Sequence, residues 1–274
     1  MTGNRTLSAE QLAEFERRGV LRLPGLLSVD RARRAREYVQ SRLAHLGLWR
    51  DGEWRLNDQP RPQWPKTGPK ASKAIGNKHP DIEALLDEPE LLDAVDALLD
   101  GHPFEREIFK RPQVLFSLPN TDVWSVPNGW HVDVPRLPSG RRPGVQLFSF
   151  LDTVEPGGGG TLIVVGSHRL FNEGRHIAAR ELRQLLCRET FFHELYAEAP
   201  VAARATLLKR SAKIGEVPVE LLELTGAPGD SYLTDLRVLH SGAPNATNRP
   251  RMMATHRFMR ADVMQELAEA FKWE

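Results

Sequence analysis

The sequence predicts a mainly β protein, an antiparallel barrel or sandwich with helices packed beside it. From about residue 104 onward, short runs rich in β-branched and aromatic residues recur: PQVLFSLP, GVQLFSFLD, GTLIVVGS, DSYLTDLRVLHS and RMMATHRFMR. Pro and Gly turns separate them, as between the strands of an antiparallel barrel or sandwich. Ahead of that point the apolar residues fall mostly at helical spacing. Glu155-Pro156 followed by four glycines, Gly157 to Gly160, is the sharpest turn signal in the chain. It lacks the Gly-Lys-Ser/Thr ending of a phosphate loop, which leaves a tight connection between strands.

The elements follow in order. Ser8-Ala9-Glu10-Gln11 fits a capping box, in which the Ser hydroxyl and the Gln side chain satisfy each other's backbone donors. Leu12 and Phe15 then supply an apolar stripe. Val20 to Pro24 is short and extended. Ser28 caps a second helix with the stripe Val29, Ala32, Ala35, Val39, Leu43. A third helical stretch starts near Asp81, and Pro89 opens a fourth that ends before Gly101. From Pro60 to Pro80 the chain is rich in Pro, Gly and Lys without one acidic residue, a length of loop that is commonly functional or mobile. The expected organisation is a single domain, 1–274. Residues 1–103 form a largely helical N-terminal part and 104–260 a β core. An Arg-rich helical insertion at 171–223 interrupts that core, and 261–274 close the chain as a helix.

Composition narrows the function classes. The chain has 274 residues with 37 basic and 36 acidic side chains, so no global charge favours nucleic acid or an acidic membrane. Cys187 is the only cysteine, which rules out an intramolecular disulfide and a cysteine-rich zinc site and suggests a cytoplasmic setting. The opening MTGNRTLSAEQ has no apolar signal-peptide core, and no run approaches the roughly 18 apolar residues of a membrane span.

The chemistry concentrates in WHVDVP, residues 130–135. Residues i and i+2 of an extended segment point to the same side. His131 and Asp133 therefore face together, with Val132 and Val134 on the other side. An imidazole and a carboxylate so arranged supply two of the three protein ligands of a non-haem Fe(II) site. A distant histidine must supply the third, and His240 is the best candidate: it ends the strand-like run SYLTDLRVL and precedes the turn Ser241-Gly242-Ala243-Pro244-Asn245. On spacing alone, a hydrogen-bonded structural pair is the plainer reading of His-x-Asp. His168, after a Gly-Ser turn, is expected to be structural. His176 and His193 fall in the insertion, His79 and His102 in loops, and His256 in the core or on the surface of a strand.

The runs WHVDVP, GVQLFSFLD, GGGGTLIVVGSHR and LHSGAPNATNRPR, in this order, together with the opening LSAEQLAEFERRGVLRLPGLLS, resemble the phytanoyl-CoA dioxygenase family of Fe(II)- and 2-oxoglutarate-dependent oxygenases. The resemblance spans roughly residues 8–260. It implies a double-stranded β-helix, the cupin-like jelly roll, flanked by N-terminal helices and a helical insertion. It also implies that His131, Asp133 and His240 hold iron. An arginine eleven residues after the distal histidine, here Arg251, would anchor the far carboxylate of 2-oxoglutarate, with Arg249 as the runner-up. Relatives often place polar co-substrate contacts at positions matching Thr161 and Gln146. The family's usual serine two places after the distal histidine is displaced here, where the order is His240-Ser241-Gly242. Halogenating relatives replace the carboxylate by a small residue, so Asp133 points to oxygenation, most simply hydroxylation of a small molecule with conversion of 2-oxoglutarate and O2 to succinate and CO2.

Local charge points to an anionic substrate, met by Arg61, Lys66, Lys70, Lys73 and Lys78 of the loop and Arg175, Arg180, Arg183 and Arg188 of the insertion. Asn128, Trp130 and Arg136 are expected at the mouth of the site. Two alternatives stay open: a cupin-type metalloenzyme that uses no 2-oxoglutarate, and a non-catalytic jelly roll that binds a small molecule.

Overall fold

The computed structural model describes residues 7–45, 47–55, 75–76, 78–105, 111–172 and 174–271. Helix α1 (Ala9–Arg18) opens with the expected capping box, Ser8 and Gln11 bonding reciprocally, and ends at Gly19 in the left-handed conformation. Strand β1 (Val20–Leu23) and helix α2 (Val29–Ala44) follow, the latter capped by Ser28. Ala32, Ala35, Val39 and Leu43 are buried along α2, but Val29 is 62 % exposed. It sits at the first helical position, where the helix has not yet met the core. A small hairpin, β2 (Trp49–Arg50) and β3 (Glu53–Trp54), precedes α3 (Pro80–Glu83) and α4 (Pro89–Leu98). Proline starts both helices, where its missing N–H costs no bond. Most of the Pro- and Lys-rich loop, including Arg61, Lys66, Lys70 and Lys73, lies outside the described residues.

The β core begins with β4 (Phe104–Glu105), β5 (Gln113–Ser117), β6 (Gly144–Phe150) and β7 (Thr161–Val165). After the insertion helices α5 (Ala179–Leu186), α6 (Thr190–Tyr196) and α7 (Val201–Ala205) come β8 (Ser211–Ile214), β9 (Val217–Glu223), β10 (Ser231–Asp235), β11 (His240–Gly242) and β12 (Arg251–Arg260). Helix α8 (Met264–Phe271) is the last element described. Two antiparallel sheets result. The larger runs β1-β10-β6-β12-β4, with β5 also on β12; the smaller runs β11-β7-β9-β8. This is the jelly roll.

Each strand alternates its side chains between two faces, and the apolar clusters show where the faces lie. Phe148, Phe150, Tyr232 and Met253 of the large sheet meet Ile163 and Val165 of the small one between the sheets. On its outer face the large sheet turns Val145, Leu147, Leu233, Met252, Ala254 and Phe258 toward Phe15, Val39, Leu43, Leu91 and Val95 of the N-terminal helices. The small sheet turns Leu162, Val164, Val219 and Leu221 toward Leu182, Leu186, Phe192 and Leu195 of the insertion. Thus helices cover both outer faces, and the space between the sheets is left to hold a site.

Two expectations change. The stretch 171–223 is not helical throughout: its last part forms the hairpin β8–β9, turned at Gly215 with φ +56°, and β9 is an inner strand of the small sheet. The helical insertion ends by residue 210. The run SYLTDLRVL is also not one strand. The Asp235 carboxylate accepts the Arg237 backbone N–H (2.9 Å), and the Val238 N–H bonds the Asp235 carbonyl (2.9 Å). This Asp-seeded turn carries the chain from the large sheet to the small one, so His240 opens a strand in place of ending one.

Candidate metal centre

His131 and His240 exchange both backbone hydrogen bonds, 3.0 and 2.9 Å, as an isolated antiparallel pair. Directly opposed residues project to the same face, and the two rings lie 4.4 Å apart between centroids. Asp133, two residues on, joins them there. Its Oδ1 is 3.9 Å from His131 Nε2 and its Oδ2 3.6 Å from His240 Nε2. WHVDVP is extended without being a regular strand: bridges at His131 and Arg136 flank the bend that brings the carboxylate inward. Val132 and Val134 are buried on the other sides, as expected.

The tautomers follow from the backbone. His131 Nδ1 faces the Gly129 carbonyl (3.3 Å) and His240 Nδ1 the Val238 carbonyl (3.1 Å). A carbonyl can only accept, so each Nδ1 carries a proton, and in the neutral ring that leaves the Nε2 lone pair for the centre. Burial holds His240 below the ordinary imidazole value although Asp133 pulls it up, so the ring is neutral at pH 7. Burial alone would raise the Asp133 carboxyl. His240, the Arg257 guanidinium with its hydrogen bond, and His131 outweigh burial and keep it below the usual range. Among the described residues this is the one group of three or more His, Cys, Asp or Glu whose donor atoms lie close enough to share an ion, all within 4.8 Å. Two imidazole nitrogens and an ionised carboxylate, with one side open where the His131 side chain is 54 % exposed, suit a divalent first-row metal that keeps free positions.

The segment is held from behind. Buried Arg204 of α7 donates to the carbonyls of Val126 (2.6 Å), Pro127 (2.7 Å) and Leu195 (2.9 Å), tying the approach to His131 onto the insertion. Ser241 Oγ donates to the Gly129 carbonyl (3.1 Å). Trp130 is buried, with Nε1 donating to Pro127, whereas Asn128 is exposed. Arg136 is not at the mouth: it is buried and donates to the carbonyls of Leu170, Ser167 and Arg237, with burial pushing it down to about 9. His168 is also structural, its Nε2 on the Glu16 carbonyl, and His256 is a core residue against Phe258.

A second polar spot lies deeper between the sheets. Arg251 begins β12 on the same face as Met253, and its Nη1 donates to the Gly159 carbonyl (2.6 Å). Burial, with no counter-charge, pushes the guanidinium down to about 10. Ser117 lies directly across from it on β5. Its buried hydroxyl and the buried Arg251 Nε both lack a hydrogen-bond partner. Gly159, at φ +80°, closes this spot: a Cβ there would lie 3.1 Å from Ser117 Oγ. Thr161 lies on the face of β7 that turns Ile163 inward, and Gln146 donates to Thr255 (3.1 Å) on the inner face of the large sheet. Arg249 is turned outward onto Asp152, 3.3 Å away, so the structure offers Arg251, not Arg249, to the interior. Arg175, Arg180, Arg183 and Arg188 are exposed on the insertion; Arg175 pairs with Glu181 and Arg183 lies over Tyr196.

The family model of the phytanoyl-CoA dioxygenases matches residues 15–253. The chain belongs to this family. The uncharacterised protein Rv1501 of Mycobacterium tuberculosis is 26 % identical over 192 residues, covering 69 % of this chain and 55 % of that one. The chain therefore spans about half the length of the curated relatives it matches. Among solved structures, the non-haem α-ketoglutarate-dependent carbocyclase SnoK of nogalamycin biosynthesis aligns at TM-score 0.58 and 19 % identity, over 95 % of this chain and 87 % of that one. HygX of Streptomyces hygroscopicus, with nickel and 2-oxoglutarate bound, aligns at TM-score 0.54 and 18 % identity, over 93 % and 88 %. The epimerase SnoN, with Fe3+, α-ketoglutarate and a nogalamycin compound bound, aligns at 0.55 and 19 %, over 92 % and 83 %. At these identities the likeness to the solved structures is one of fold. Among the described residues, no helix is long and apolar enough to cross a membrane.

Proposed function

We propose that residues 1–274 act as a single Fe(II)- and 2-oxoglutarate-dependent oxygenase domain that hydroxylates a small molecule. The observation that carries this reading is the pairing of two unfinished sites between the same two sheets. One is the His131, Asp133, His240 group; the other is the cation Arg251 with unpartnered donors beside it. A metalloenzyme without 2-oxoglutarate, or a silent binding module, has no use for the second.

The residues fit both groups. His131 Nε2, His240 Nε2 and an oxygen of Asp133 would hold iron and leave three positions of an octahedron free. Arg251, with Ser117 beside it, would take the far carboxylate of 2-oxoglutarate, and Thr161 and Gln146 would supply polar walls. When bound, iron and 2-oxoglutarate supply the oxidising power: O2 and 2-oxoglutarate become succinate and CO2, and one oxygen atom enters a C–H bond of the substrate. The protein orients the histidines through Gly129 and Val238, keeps Asp133 ionised, and sets the Phe148 ring 6.1 Å from that of His240 beside the apolar core between the sheets.

The carbocyclase and epimerase among the structural neighbours are matched here in fold alone, so hydroxylation is the outcome to test. Exposed Lys78 and the insertion arginines make an anionic small molecule the first substrate class to screen, and the single cysteine favours a cytoplasmic setting. Purified protein with Fe(II), ascorbate, 2-oxoglutarate and a panel of anionic metabolites should release succinate. Release should need iron and vanish in Asp133→Ala. Iron binding with no succinate from any mixture would favour the metalloenzyme without 2-oxoglutarate.

A further inference from the structure

Arg257 is a residue of the centre that neither the His-x-Asp pattern nor the spacing to Arg251 marks. It lies on β12, on the same inward face as Thr255 and Met253, directly across from Gln146 on β6. Its Nε donates to Asp133 Oδ2 (2.8 Å), and its Nη2 stands 2.7 Å from the same oxygen as an ion pair. A charge-assisted hydrogen bond and the guanidinium charge beside it both engage Oδ2. Oδ1, the oxygen nearer His131 Nε2, is left.

From this geometry we infer that Arg257 is a positioning residue of the iron centre. By engaging Oδ2 it would make Asp133 a one-oxygen ligand and leave three coordination positions, two for 2-oxoglutarate and one for O2. The inference rests on the iron and 2-oxoglutarate reading given above. A plain structural ion pair would serve the fold without touching coordination, and the two roles differ in sign. Without the guanidinium, Asp133 can offer both oxygens, and a cation no longer sits beside the metal. Both changes favour iron. The second oxygen would then take one of the three positions, and the dianionic co-substrate would meet one cation fewer.

Arg257→Leu is therefore expected to bind Fe(II) as tightly as wild type or more so. Its iron-loaded form should bind 2-oxoglutarate at least tenfold more weakly. Arg257→Lys, which keeps the charge but not the planar guanidinium that faces Oδ2, should show the same pattern at a few-fold amplitude, and it serves alone if the leucine variant does not fold. The experiment is anaerobic titration of metal-free protein with Fe(II), then of the iron form with 2-oxoglutarate, followed by visible charge-transfer absorbance, with thermal unfolding in parallel. Iron and 2-oxoglutarate affinities that fall together with the melting temperature would overturn the inference in favour of a structural pair. So would 2-oxoglutarate affinity within threefold of wild type in both variants. Wild type with no charge-transfer band would instead overturn the underlying cofactor reading, and with it this inference.

Discussion

Replacing Arg251 by leucine separates the co-substrate anchor from the stability of the protein. The guanidinium is buried without a counter-charge, and burial pushes it well below the ordinary guanidinium value, down to about 10. At about 1.4 kcal/mol per pKa unit that is a penalty on the order of 2–3 kcal/mol, taken below the full conversion because the side chain is not wholly out of solvent. A carboxylate arriving at Arg251 and Ser117 relieves this penalty and satisfies the two orphaned donors. Losing about 3 kcal/mol of that gain corresponds to roughly a hundredfold weaker 2-oxoglutarate binding. The ligand-free protein has little to lose, since the charge is a burden there and the one bond removed is to the Gly159 carbonyl. Arg251→Leu should thus unfold within about 1 kcal/mol of wild type, or later, in denaturant without ligand. Calorimetric titration of the metal-loaded protein reads the affinity. Binding within threefold of wild type, or a leucine variant that is unstable without ligand, would refute the anchor role.

Two other buried charges give stability predictions. Glu223 accepts the Gly157 N–H with both oxygens (3.0 and 3.1 Å), and burial pushes its carboxyl up to about 7. A pKa raised on folding stabilises below the unfolded value and is lost as pH rises, so the penalty grows from about 4.5 to about 7 and then stays constant. Glu223→Gln should therefore gain on wild type by about 2 kcal/mol between pH 5.5 and 8 in urea unfolding, and a pH-independent difference would contradict it. Asp235 is enclosed by Arg237, which donates to it at 2.9 and 2.8 Å, and Arg142 at 3.2 Å, and these partners hold it far below the usual carboxylate range against burial. Asp235→Asn leaves two buried guanidinium groups facing each other and should cost about 3–5 kcal/mol at pH 7; a loss under about 1 kcal/mol would show the network to be dispensable.

Much of the fold was legible in the sequence because local chemistry marks it. The Ser8–Gln11 box, the Ser28 cap and Pro89 start helices where they stand, the helix expected near Asp81 begins at Pro80, and the β-branched runs become strands. What escaped were features that periodicity does not encode. SYLTDLRVL keeps a strand-like composition across a change of sheet, and only the Asp235 turn, made by one side chain, divides it. The hairpin β8–β9 follows directly on helices, so its alternation was absorbed into the insertion. At the site, i, i+2 spacing marked His131 and Asp133 and the turn after His240 marked that residue, but it was the family resemblance of the ordered motifs that joined the three. Arg257, Ser117 and Arg204 could not be found this way: each acts through register or a long-range contact, and arginines and serines carry no spacing signal of their own. Arg136 looked like a mouth residue by its neighbours in sequence, yet three backbone carbonyls hold it in the core.

The most direct test is anaerobic addition of Fe(II) and then 2-oxoglutarate to the metal-free protein, watching for the visible charge-transfer band of the chelate in wild type and Asp133→Ala. The expected result is a band of one equivalent in wild type and none in Asp133→Ala, with the far-UV circular dichroism of the two alike. A wild type that binds iron without the band would contradict the 2-oxoglutarate reading, and a band that survives loss of the Asp133 carboxylate would contradict a centre built from His131, Asp133 and His240.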